Sequence, residues 1–215
     1  GTNISGATNS SLTLTNAQPG QSGNYSVVVN NPVGSTASSN ALLTVYIPTC
    51  LALPAGVAGW WAGEGNAVDS SGTNHGVLVN GAGFAAGQVG QAFNLDGSSQ
   101  YVDVPDHTGV NPTSSLSLEA WIYPRAFGSL ASPIIKKAGG GPWSANGYTL
   151  ELSDSGSVLF GVFVSGGVGW VLTSTAPVPL NRWSHAAGVF DGTNVLIYLN
   201  GSLAGVSTPA PGLVV

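Results

Sequence analysis

The sequence predicts an all-β chain built from two stacked antiparallel sheets, and three observations carry that prediction. Apolar residues recur with a period of two, as in Leu116-Ser117-Leu118-Glu119-Ala120-Trp121-Ile122. This spacing sends alternate side chains to opposite faces of a strand. Gly 32 and Pro 13 give 45 of 215 residues, about a fifth, short of the roughly 25–30% of disordered low-complexity chains. They read as punctuation between many short strands. Third, the stretch from Trp183 to Val206 reads as a complete meander. Trp183, His185, Ala187 and Val189 share one face of a first strand, Asp191 to Asn194 turn, and Val195 to Leu199 form a second strand. Asn200-Gly201 then tolerates the positive φ of a type I′ hairpin turn, and Leu203 to Val206 return as a third strand. Both faces of Val195-Leu196-Ile197-Tyr198-Leu199 are apolar, so the meander is expected to be covered on both sides, as in a sandwich.

Composition narrows the function classes. Hydrophobic content is 43%, enough for a real core, while charged residues make up 6%, against roughly 25% in an ordinary soluble domain. The net charge is −5, and Arg125, Lys136, Lys137 and Arg182 are the four cations. Nucleic-acid binding needs clustered phosphate contacts that so few cations cannot supply, and an anionic membrane surface is disfavoured for the same reason. No apolar run approaches the roughly 18 residues of a membrane span, so membrane insertion is not expected. No basic segment precedes an apolar stretch, so no signal peptide is read, and Gly1 reads as a cut end. The single Cys50 has no internal disulfide partner. It is either an inert thiol or half of a bridge to sequence outside the chain.

In chain order, residues 1–46 form a first unit. Ser11 to Thr15 alternates, Asn24 to Asn30 reads as a strand, Asn31-Pro32-Val33-Gly34 as a turn, and Ser39 to Val45 as a closing strand. The order L-x-L, S-G-x-Y-x-V, N-x-x-G and L-T-V resembles the last three strands of an immunoglobulin-like domain, with Tyr25 at the tyrosine-corner position and Val27 where a second Cys commonly stands. Residues 47–54, with two prolines around Cys50, read as a linker.

Residues 55–215 carry a different set of motifs. Gly59-Trp60-Trp61-Ala62-Gly63-Glu64-Gly65-Asn66 is followed by Asp69-Ser70-Ser71-Gly72-Thr73-Asn74-His75-Gly76. Then come Gly90-Gln91-Ala92-Phe93-Asn94-Leu95-Asp96-Gly97, the Leu116 to Pro124 strand, and the Trp183 to Gly201 hairpin. In this order the set resembles the concanavalin A-like, laminin G-like jelly-roll domains of large exported bacterial surface proteins. The resemblance implies a lectin-like sandwich, an extracellular or cell-surface location, and often a structural calcium. It also implies a further closing strand beyond Val215, so the jelly roll is expected to be incomplete at its C-terminus with one sheet edge unpaired.

Catalysis is weakly supported. A sandwich glycosidase needs two carboxylates facing each other across about 5–9.5 Å. Of the nine carboxylates, Asp103 and Asp106 are close in sequence but flank Pro105, and Glu151 and Asp154 fall on opposite strand faces. No zinc-type His/Cys spacing accompanies His75. Asp69 and Asn74 are hard oxygen donors in a Gly-rich loop, suited to Ca²⁺. Sugar rings stack their C–H faces on exposed aromatics. Trp60, Trp61, Trp121 and Trp183 lie inside strands common to the resembled family and are expected in the core. The loop-borne Trp143, Tyr148 and Trp170 are the candidate stacking platform. The expected function is non-catalytic recognition of a glycan or of a cell-surface protein. The alternatives are a spacer or adhesion domain without a sugar site and an accessory domain of a glycoside hydrolase.

Overall fold

The structure, a computed structural model, describes residues 2–15, 17–45, 53–137, 147–163 and 169–207, with the backbone alone at Trp170. The chain divides into two compact units, Gly1–Leu53 and Pro54–Val215.

In the first unit β1 (Gly23–Tyr25) pairs antiparallel with β4 (Ala41–Leu43), and β2 (Val28–Asn31) pairs with β3 (Gly34–Ala37). The turn between β2 and β3 is closed by the Asn31 side chain, whose Oδ1 accepts from the amides of Val33 and Gly34. The Tyr25 hydroxyl donates to the Gln21 carbonyl at 2.7 Å, four residues upstream. Ser11 to Thr15, expected as a strand, is irregular instead. Its Leu12 and Leu14 line an apolar groove with Tyr25 and Leu43 rather than entering a ladder.

The second unit holds the sandwich. Its first part forms two small ribbons. In one, β5 (Val77–Val79) pairs with β8 (Tyr101–Asp103). In the other, β6 (Gly83–Ala86) pairs with β7 (Gln91–Asn94), and Phe84 and Phe93 meet across the pair at 5.6 Å. Two four-stranded antiparallel sheets follow. The first has the order β10 (Ser132–Lys137), β11 (Gly147–Leu152), β12 (Ser157–Phe163), β13 (Gly169–Pro177). The second has the order β16 (Ser202–Ser207), β15 (Val195–Leu199), β14 (Ser184–Phe190), β9 (Leu116–Ile122). The chain thus leaves β9, builds the whole first sheet as a meander, and returns to lay β14 beside β9. The hairpin after β15 is closed by Asn200 at φ +49° and Gly201 at φ +78°, both left-handed as a type I′ turn requires.

The core lies between these sheets. Leu150, Leu152, Val158, Phe160 and Val162 come from the first sheet, with Val178 just beyond it. Ala186, Phe190, Val195, Ile197 and Ala204 come from the second. Phe160 sits against Gly188, where an added Cβ would lie 2.3 Å from the ring. The close sheet-to-sheet approach therefore depends on a glycine at that position.

One expectation about burial is corrected. The Trp183 to Val206 meander is covered fully on its core face and only partly on the other, where Ala187 is buried and Leu196 and Tyr198 are half-buried. Val195 and Ile197 are buried on the core face, whereas Leu203 and Val206 on the other face are 55% and 57% exposed. Apolar residues on both faces of a strand were read as two covering layers, but cover of the outward face is lost at β16.

Candidate functional site

The loop after Trp61 is organised by one carboxylate. Asp69 is 3% exposed. Its Oδ1 accepts from the Trp60 amide (2.9 Å), the Ser71 amide (2.9 Å) and the Ser71 hydroxyl (2.6 Å), and its Oδ2 from the Asn74 amide (3.1 Å). Burial pushes its pKa up, but these four donors outweigh burial and hold it at about 2. The Asn74 amide group donates to the Ala58 carbonyl, and Trp61 Nε1 donates to the Asn74 carbonyl. The loop is therefore tied to the segment Ala58 to Trp61 that precedes it at both ends.

Asp69 and Asn74 are thus brought together. Asn74 Oδ1 is buried without a hydrogen-bond partner, which is the chemistry a hard cation takes, and Asp69 Oδ2 carries a single hydrogen bond. These are two side-chain oxygens of the six to eight that calcium uses. Carbonyls or water would have to complete the set. Among the described residues no group of three or more His, Cys, Asp or Glu side chains could hold a metal ion.

The expected aromatic platform is only partly visible. Trp143 lies outside the described residues. Tyr148 is the second residue of β11, is half-buried, and donates its hydroxyl to the Val110 carbonyl at 3.0 Å. Burial first, and then the charge of Asp106, raise its pKa. The register runs Tyr148↔Val162 and Val162↔Trp170, so positions 148 and 170 lie in one row across three strands at the same end of the first sheet.

Most of the other carboxylates have structural partners. Asp96 accepts from the amides of Ser98, Ser99 and Gln100, and Asp191 from those of Thr193 and Asn194, and these bonds lower both pKa values. Asp106 pairs with Lys137 and Asn111, and the Lys137 contact is the main reason its pKa is lowered. Glu64 accepts from the Gln91 amide. Glu151, 6% exposed, accepts from the Thr149 hydroxyl at 2.6 Å and lies 3.7 Å from Lys136.

The structure reveals an aromatic group that the sequence reading assigned to the core. Trp121 is 53% exposed and Trp60 is 48% exposed. On β9 the even positions Leu116, Leu118, Ala120 and Ile122 turn inward, which sends Ser117, Glu119 and Trp121 outward. The register His185↔Trp121 brings these two rings to 5.3 Å, edge to face, and Tyr123 meets Trp183 at 5.4 Å. Glu119 Oε2 stands 3.5 Å from His185 Nε2. The signal was present in the alternation of β9, where Trp121 shares parity with Glu119 rather than with Leu118.

A search of curated proteins found no match. Among solved structures, domain 4 of AbnA, a GH43 extracellular arabinanase from Geobacillus stearothermophilus in complex with arabinotriose, is similar. Its TM-score is 0.54 and identity 20%, over 68% of this chain and 71% of that one. The botulinum neurotoxin serotype G binding domain is similar at TM-score 0.49 and 15% identity, over 66% of this chain and 36% of that one. An S-layer domain-containing protein from Clostridium thermocellum ATCC 27405 is similar at 0.44 and 22%, over 69% and 71%. A family model described as the concanavalin A-like lectin/glucanases superfamily matches residues 96–214. That span is more than half of the chain and takes in both four-stranded sheets, and the chain belongs to this superfamily.

Proposed function

We propose that residues 55–215 act as a non-catalytic carbohydrate-recognition module of an exported protein, with residues 1–46 as the end of an immunoglobulin-like spacer and residues 47–54 as the linker. One observation carries the reading. Most acids of the sandwich are spent on holding its loops, as Asp69, Asp96 and Asp191 do, or sit in a buried structural pair, as Glu151 does. The exposed Glu119 is paired with His185 rather than with a second carboxylate. Rigid loops suit recognition, whereas glycoside hydrolysis needs two carboxylates left to act on one bond. The fold shared with an arabinanase domain solved with arabinotriose is compatible with a sugar ligand. Tyr148, with Trp143 and Trp170, forms the rim platform in this reading. Asp69 and Asn74 would hold a Ca²⁺ whose role is to stiffen the loop after Trp61, adding to the four hydrogen bonds already there.

Glycan-array binding with and without EDTA, with reducing-sugar release followed in parallel, tests this. Binding without release is expected, and calcium is expected to raise the thermal midpoint reversibly. Release of sugar from a bound glycan would refute the non-catalytic reading. Failure to bind any glycan would favour a spacer or protein-adhesion role.

A further inference from the structure

We propose that the open face of the second sheet, around Trp121, Tyr123, Trp183 and His185, is a second stacking surface for glycan, selective for uncharged sugars. The inference rests on the carbohydrate-recognition reading above and adds to it a site and a ligand class.

Trp121 and Tyr123 lie two residues apart, one at the end of β9 and one just past it, and are 53% and 42% exposed. Two residues of strand span about 7 Å, so one oligosaccharide can touch both rings. Each ring is braced from the neighbouring strand side, Trp121 by His185 and Tyr123 by Trp183. Their orientation is therefore set before a ligand arrives, which lowers the ordering cost of binding. Hydrogen-bonding groups lie among the rings. The Glu119 side chain is 71% exposed and 3.5 Å from the His185 imidazole, placing a carboxylate acceptor and an imidazole nitrogen beside the aromatic faces. Apolar rings flanked by a few polar groups match a sugar ring, which offers a C–H face and a rim of hydroxyls.

Charge selects among occupants. The outward positions of β9, β14, β15 and β16 include Glu119 and neither lysine nor arginine. An acidic glycan would meet that carboxylate, and the nearest cations in sequence lie off these strands, Arg182 beside Trp183 and Arg125, which already donates to Asn94 and Leu95. A second copy of this chain, at net charge −5, would bury Glu119 with its His185 neighbour against a like-charged surface. A neutral oligosaccharide meets neither cost.

The test is calorimetric titration of the 215-residue chain with soluble arabinan, xylan and β-glucan, using polygalacturonate as the charged counterpart. The double variant Trp121→Ala/Tyr123→Ala is expected to bind the neutral polymer about tenfold more weakly or with one binding event fewer per chain. Trp121→Phe, which keeps a ring, should retain most of the affinity. Thermal unfolding of each variant confirms that it is folded. A folded double variant with unchanged affinity and stoichiometry overturns this site while leaving the recognition reading intact. Wild-type protein that binds none of the polymers overturns both. Preference for polygalacturonate overturns the claim of neutral selectivity. A wild-type dimer that the double variant dissociates, read by light scattering, would show the face to be self-pairing and overturn the glycan site.

Discussion

Replacing Asp69 with asparagine tests how the loop after Trp61 is held, and its size follows from the geometry. The carboxylate is buried and takes four hydrogen bonds, three of them from backbone amides. Its pKa falls from 3.8 to about 2 on folding, which corresponds to about 2.5 kcal/mol of stability. Because the folded value is the lower one, this contribution is complete above about pH 4 and is lost as pH falls through about 2. Asparagine keeps one acceptor but turns an NH₂ group toward an N–H donor, leaving at least one amide unpaired at a cost of about 1 kcal/mol or more. The expected loss for Asp69→Asn at pH 7 is therefore about 3.5 kcal/mol. Urea unfolding followed by tryptophan fluorescence, with EDTA present, measures it. Asp96, Asp106 and Asp191 also have lowered pKa values, so both proteins will weaken in acid. The informative quantity is the gap between them, which should narrow by about 2 kcal/mol between pH 6 and pH 2. A gap below about 1 kcal/mol at pH 7, or one that does not change with pH, would refute the reasoning.

Two further substitutions probe the sandwich itself. Gly188→Ala places a Cβ 2.3 Å from the Phe160 ring and should cost about 3 kcal/mol through overpacking, seen as a lowered urea midpoint with an unchanged slope. Tyr148→Phe removes the hydroxyl that donates to Val110 and should cost about 1 kcal/mol. The same variant should leave glycan affinity nearly unchanged if the ring, not the hydroxyl, meets the sugar.

The strands of the sandwich were legible because their signals are local. The period of two in Leu116 to Ile122 and the Asn200-Gly201 turn need no knowledge of the rest of the chain, and both appear where the sequence puts them. The pairing of β14 with β9 was not legible, since it joins residues on either side of a four-strand meander. That pairing is what assembles the aromatic cluster. Trp121 and Trp183 were read as core because they lie in strands common to the resembled family, yet the parity of Trp121 with Glu119 sends it outward and Trp183 is only half-buried. The Ser11 to Thr15 alternation failed differently. A five-residue pattern without a partner strand forms no ladder, whatever its propensity. Asp69 was readable as an oxygen donor, but not as the acceptor for Trp60, because that contact depends on how the loop folds back.

The most direct measurement follows the indole N–H signals of the six tryptophans by heteronuclear NMR as a neutral oligosaccharide is added, with each signal assigned by single substitution. The account predicts that Trp143 and Trp170 of the rim platform shift and saturate, that Trp121 and Trp183 shift as a second set, and that no sugar is released from the ligand. Indole signals that all stay fixed, or a ligand that is cleaved during the titration, would contradict it.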